Sequence, residues 1–212
     1  MILKKCAILG ASGHGKVVAE IAELNGYNHI EFFDDCWPNL SFVEHWEVLG
    51  DTSMLQAKSK EYDLIIVAIG NNEIRCAKQK ELSLAGGNFG VIAHPAAVIS
   101  TYANIGVGTV VMANASVNPF SNTGIGCIIN TGATVDHDCS LSDGVHISPG
   151  ANLAGGVEVG RNSWIGIGCQ VKQLVVIGQG VVVGAGSTVL SDIKSFRTVV
   201  GSPARIINKS DI

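Results

Sequence analysis

At 212 residues the chain has room for one or two domains, and 47% hydrophobic against 15% charged residues is enough to fill a core, which excludes a disordered chain. A net charge of -4 offers no concentrated basic face, so a nucleic-acid partner is not expected. No run of roughly eighteen or more apolar residues occurs, and MILKKCAILG leads directly into strand-like sequence, so neither a membrane span nor a signal peptide is expected.

In chain order, Cys6 to Leu9 is an apolar run closed by Gly10-Ala11-Ser12-Gly13-His14-Gly15-Lys16. Val17, Val18, Ile21, Ala22 and Leu24 then recur at helical spacing until Asn25-Gly26. This is strand, glycine turn, helix, a junction where backbone N–H groups can face a phosphate. Gly10 to Lys16 also has the spacing of a P-loop, but Val17 stands where Mg²⁺ binding needs Ser or Thr. A second strand, Ile30 to Phe33, delivers Asp34 and Asp35 to the position of a ribose-binding acid. Leu64 to Ile69 is a third strand, ending in Gly70-Asn71-Asn72 and followed by a helix through Leu84 and a short strand, Phe89 to Ile92. That is one mononucleotide-binding half, too little for a full dinucleotide site. Cys36 to Asp51, with Trp37, Pro38 and Trp46, is a loop over or beside this site.

From Ile99 to Val189 an aliphatic residue returns at every sixth position, and Thr123 alone breaks the rule. Four residues after each such site the side chain is small or β-branched, as in Thr109, Ala115, Ser121, Cys127 and Cys139. A helix needs a period near 3.6 and a flat strand a period of 2, so a sustained six fits a parallel β-helix, with Gly and Asn at its corners. Of the six cysteines, Cys127, Cys139 and Cys169 occupy the small inward site, and with no C-x-x-C pair all six read as core filling in a reducing cytosol. Ser191 to Val200 reads as a polar connection.

The period resembles the hexapeptide acyltransferases, which implies a left-handed β-helix in which three hexads form one triangular coil. Gly201-Ser202-Pro203-Ala204-Arg205 resembles the G-x-P-A-[RK] ending of the same enzymes. Jointly, GASGHG (10–15), FDD (33–35), AIGNNEIR (68–75), VDHD (135–138), H-x-S-x-G-A (146–151) and GSPAR (201–205) resemble the PglD/NeuD group of sugar O- and N-acetyltransferases. The expected architecture is therefore an α/β half-Rossmann nucleotide-sugar-binding domain over 1–93, a left-handed parallel β-helix over 94–190, and a C-terminal tail over 191–212.

The resemblance implies transfer of acetyl from acetyl-CoA to a sugar amine, with no metal. His137 would be the general base, and Asp138, where many relatives carry Glu, would orient it. His146 would contact acetyl-CoA, the Gly155 N–H would bind the thioester oxygen, and Ile167 and Ala185 would make backbone contacts to CoA. Ser12, Gly13, His14, Asp34, Asp35 and Gly70 would hold the nucleotide sugar, with Asn71, Asn72 and Arg75 as neighbours. Given eighteen-residue coils, His137 and Gly155 stack, as do Ile167 and Ala185, whereas His146 falls half a coil away. A homotrimer with sites between subunits would bring His146 of one chain to His137 of the next. The first expectation is a cytoplasmic N-acetyltransferase of a UDP-linked 4-amino-4,6-dideoxy-N-acetyl-hexosamine, of the kind used in bacillosamine-type surface-glycan pathways. The alternatives are a sialic-acid-type O-acetyltransferase, a zinc-binding carbonic anhydrase on the same β-helix, which lacks its third histidine, and a non-catalytic sugar-nucleotide sensor.

Overall fold

The computed structural model describes residues 3–207, which divide into two compact units at Pro95/Ala96. In the first, β1 (Lys5–Leu9) is the central strand of a parallel sheet, between β2 (His29–Phe33) and β5 (Leu64–Val67). The registers Leu9↔Phe33 and Leu9↔Val67 bring all three strand ends level, so their following turns share one edge. Strands this apolar must be covered on both faces. Helices α1 (Gly13–Leu24) and α3 (Asn72–Leu84) alternate with them in the chain. One cluster buries Leu9, Phe33, Leu55, Ile65, Val67 and Leu82 almost completely, and each such side chain contributes about 1.5–3 kcal/mol by leaving water.

Three local features differ from the expectation. The helix α2 (Thr52–Lys58) was not anticipated, although Asp51 is a readable N-cap whose carboxylate accepts the Met54 N–H at 2.9 Å. The loop Cys36 to Asp51 contains a two-stranded hairpin, β3 (Phe42–Val43) and β4 (Trp46–Glu47), tied down by Trp46 against the Phe32 ring and Glu23. Finally, the last strand of the unit is Ile92–Ala93 rather than Phe89 to Ile92.

The second unit is a left-handed parallel β-helix. Its two-residue strands pair in register with those eighteen positions on, for example Ser116↔Thr134, Thr134↔Asn152 and Ile128↔His146, so three hexads do make one coil. The inward sites Val111, Ile129, Val135, Ile147 and Ile165 are at most 1% exposed, and the small sites Ala115, Ser121, Cys139 and Ser163 are fully buried. Polar small residues are tolerated there because they bridge coils. Ser163 donates to Gly178 O at 2.7 Å and accepts from Val181 N at 3.0 Å. The exceptional Thr123 accepts the Gly106 N–H at 3.1 Å, which explains a hydroxyl at an aliphatic site.

Each corner from Gly108 to Gly186 turns through one residue with φ between 58° and 75°, the left-handed region that glycine enters without strain. After Val189 the chain was expected to leave the prism as a polar connection. Instead it adds a shortened coil. Ile193 bridges Ile177 and Val199 pairs with Val183, so the offset drops from eighteen residues to sixteen. Thr198–Val200 is then covered by Arg205–Ile207 running antiparallel. The expected tail over 191–212 is thus built into the helix as far as Ile207, and its last five positions lie outside the described residues.

Candidate active site

One corner of the prism joins the Thr134–Val135 edge to the Ser140–Leu141 edge, and His137 and Asp138 sit on it. His137 Nδ1 lies 2.7 Å from Asp138 Oδ2, a contact between chain neighbours made while Asp138 holds the left-handed corner conformation at φ 60°. Aspartate is therefore long enough here. On the other side, Asp136 accepts both the His137 N–H and the Asn118 amide at 2.8 Å. The Asp138 hydrogen bond and then the Asp136 charge hold the His137 imidazole above its ordinary pKa. With Nδ1 engaged, Nε2 is left to face a shallow groove of about 400 Å³ lined by Asp136, His137, Gly155, Gln173 and Leu174. Asp136 had not been singled out, although the V-D-H-D run shows both flanking carboxylates.

Gly155 lies one coil on, directly against the ring. A Cβ there would fall 2.6 Å from His137 Nε2 and Cε1, so any side chain would displace the imidazole. Gly156 gives its N–H to His137 O at 2.9 Å, whereas Gly155 donates to none of the carbonyls that join the coils. The Gly155 N–H is thus not spent on the ladder between coils, as the expected donor to the thioester oxygen must not be.

His146 is on a different edge. It opens the His146–Ile147 strand, between Ile128 and Trp164, so the body of the prism separates it from His137 within one chain. It is 8% exposed, with Nε2 3.1 Å from Asn130 Nδ2 and its ring 4.9 Å from Trp164. Ile167 and Ala185 are exposed on consecutive coils at another corner, linked by the Gly186 N–H to Ile167 O bond.

In the first unit the two glycines of interest differ from their neighbours. A Cβ at Gly10 would meet Ala68 O and one at Gly15 would meet Gly10 O, so both are required by packing, but Gly13 and Gly70 face open space. Ser12, the N-cap of α1, makes no side-chain bond to its own helix. His14 carries an Nε2 that is sealed from solvent without a hydrogen-bond partner, and burial, aided by the nearby Arg75 charge, lowers its pKa to about 4. Arg75 itself is buried and binds Ile69 O, Gly70 O and Asn72, fixing the turn between β5 and α3.

The two aspartates tie together the turns along this edge of the sheet. Asp34 accepts from Ala11 N at 2.8 Å and Cys36 N at 2.9 Å, tying the glycine turn to the end of β2. Asp35 accepts from Thr52 N at 2.9 Å and pairs with Lys78 at 3.3 Å. Lys78 went unnoticed because only the structure brings α3 beside Asp35. The cysteines divide: Cys6, Cys127, Cys139 and Cys169 are buried and Cys76 is partly so, but Cys36 is exposed and fills no core.

An exposed imidazole on a hexapeptide corner, preceded in the chain by an α/β unit with an open glycine turn, places the protein among the hexapeptide-repeat acyltransferases. The acetyltransferase domain of PglB from Neisseria gonorrhoeae, solved with acetyl coenzyme A, is 44% identical over 97% of this chain and all of that one, with a TM-score of 0.93. The chain belongs to the PglD/NeuD-type sugar acetyltransferases. Its residues 5–82 match the PglD N-terminal domain family. PerB from Caulobacter crescentus, solved with CoA and GDP-perosamine, is 35% identical over 98% of this chain and 99% of that one, at a TM-score of 0.92. The UDP-N-acetylbacillosamine N-acetyltransferase of Bacillus subtilis is 36% identical over 113 residues, a stretch spanning about half of either protein, 52%.

Proposed function

We propose that the protein transfers the acetyl group of acetyl-CoA to the 4-amino group of a UDP-linked 4-amino-4,6-dideoxy-N-acetyl-hexosamine. The observation that carries this is the His137–Asp138 pair stacked on Gly155. In the proposed reaction the amine nitrogen attacks the thioester carbonyl while His137 Nε2 takes its proton. The Gly155 N–H holds the oxyanion, and collapse of the tetrahedral intermediate breaks the C–S bond and releases CoA as its thiolate. Asp138 and Asp136 stabilise the imidazolium that forms.

The acceptor's nucleotide is assigned to the first unit. The Ser12 hydroxyl and the backbone of Gly13 and Gly70 line open space, and His14 Nε2 waits for a partner that a bound ligand can supply. Asp34 and Asp35 keep acceptor capacity for the ribose or base, since each carboxylate oxygen can take a second bond. The Bacillus subtilis relative is named for a UDP sugar and the Caulobacter structure holds a GDP sugar, and the nucleotide panel below distinguishes the two. Because His137 and His146 occupy separate edges, the complete site is assigned to a homotrimer in which His146 of one chain meets the His137 corner of the next, with the pantetheine arm against Ile167 and Ala185. The setting is cytoplasmic surface-glycan synthesis.

The test is thiol release from acetyl-CoA over a panel of UDP-, GDP- and dTDP-linked amino sugars and free sialic acid. Acceptor-dependent release with a UDP-4-amino sugar, lost in His137→Ala, is expected. Release with sialic acid alone would assign O-acetylation instead, and no release above background hydrolysis would leave the fold without this activity.

A further inference from the structure

The corners of the prism are not equivalent, and the unequal ones coincide with the candidate site. From Gly108 to Gly186 fourteen corners hold a residue with left-handed φ, and they form three columns along the axis. Two columns contain only Gly and Asn, the residues that tolerate this conformation. The third runs Phe120, Asp138, Gly156, Leu174, with φ of 65°, 60°, 67° and 62°. Within these fourteen corners the three residues other than Gly and Asn thus share the column beside His137 and Gly155; beyond them, in the shortened final coil, Phe196 (φ 60°) takes a corner over Gly180. Glycine is the least strained residue at such a corner, so a larger side chain held there calls for a compensating contact within the fold or with a ligand.

Two of the three are accounted for. Asp138 binds His137. Phe120 packs against Tyr102, one coil earlier, with ring centroids 5.4 Å apart. Leu174 remains, 75% exposed and with its side chain over Gly156, where a Cβ would come within 2.8 Å of Leu174 Cδ2. Glycine at 156 is what lets it reach into the groove it shares with His137 and Gly155.

We propose that Leu174 is a donor-positioning residue, the apolar wall against which the carbons at the thioester end of acetyl-CoA pack. This rests on the acetyltransferase reading above. Gly155, Ile167 and Ala185, the positions assigned to the donor, all lie in coils on the C-terminal side of His137, and Leu174 is on that side. The thioester end of the donor is short of polar atoms, so an isobutyl wall beside a single N–H donor suits it. The hydroxyl and amine of the acceptor sugar would be left unpaired against the same surface, its C6 methyl being the one acceptor group that could pack there, and the acceptor KM separates the two occupants.

The test compares Leu174→Gly and Leu174→Met with the native chain by steady-state kinetics in both substrates, thermal melting and solution mass. Leu174→Gly restores the residue the corner prefers, so Tm should stay level or rise, while KM for acetyl-CoA rises about fivefold or more with kcat and the acceptor KM nearly unchanged. Leu174→Met keeps an apolar side chain and should return the acetyl-CoA KM to within about twofold of native. An unchanged acetyl-CoA KM, a rise confined to the acceptor, or a change in oligomeric mass would each overturn the assignment. If the native chain transfers no acetyl group, the proposed function fails first, and a kinetic defect specific to Leu174→Gly cannot be mistaken for that result.

Discussion

At the scale of single residues, the imidazole at 137 is governed by its two carboxylate neighbours. The proposed base must be neutral, and Asp138 and Asp136 favour the protonated form, so kcat/KM should fall as pH drops through a pKa held above the ordinary histidine value. Asp138→Asn removes the largest contribution, and the acidic limb of the pH profile should shift to lower pH with a reduced plateau. His137→Ala should lower kcat by about 10²–10⁴-fold without altering Tm, since the ring is largely exposed. His14 behaves in the opposite sense. Unfolded it takes a proton near 6.5, folded only near about 4, so the unfolded state binds more protons between these values. Stability should therefore be complete above pH 6.5 and decline towards pH 4, and His14→Gln should flatten that decline in acid melts. If the two proteins lose stability in parallel, the buried ring is not the cause.

At the scale of elements, glycine substitution separates packing from binding. Gly13 opens α1 and faces empty space, so Gly13→Ala should leave Tm level or raise it slightly, as alanine is about 0.8–1.0 kcal/mol better in a helix, while acceptor KM increases because the methyl group occupies ligand space. Gly132→Ala, at a left-handed corner of the prism, should lower stability by about 1–2 kcal/mol. These elements were unequally legible. The six-residue period fixed the coil and the inward set in advance because repetition reinforces the signal at every turn. α2 and the β3–β4 hairpin were missed because each is short and its stability comes from tertiary partners, Leu55 in the core and Trp46 on Phe32. In the site, motif spacing located His137, Asp138 and Gly155, but not Asp136 as a charge partner, Lys78 beside Asp35, or the strained column ending at Leu174. Those depend on φ angles and through-space distances, which a linear pattern does not contain.

At the scale of the whole molecule, the separation of His137 from His146 across the prism requires an assembly if both serve one site. Solution mass should correspond to three chains, and His137→Ala and His146→Ala, each weakly active alone, should regain activity when unfolded and refolded together. Mixed trimers would contain interfaces carrying both native histidines. Absence of recovery after confirmed mixing would confine the site to one chain.

The sixteen-residue final coil has a consequence for solubility. A solenoid of parallel strands ends in exposed peptide groups that could receive a second solenoid and so propagate indefinitely. Here Arg205–Ile207 lies antiparallel across Thr198–Val200, and a reversed strand offers the wrong direction for a parallel recruit. Shortening the chain to end at Val200 should convert discrete particles into end-to-end fibrils visible by light scattering, which would identify this last ribbon as a stopper against polymerisation.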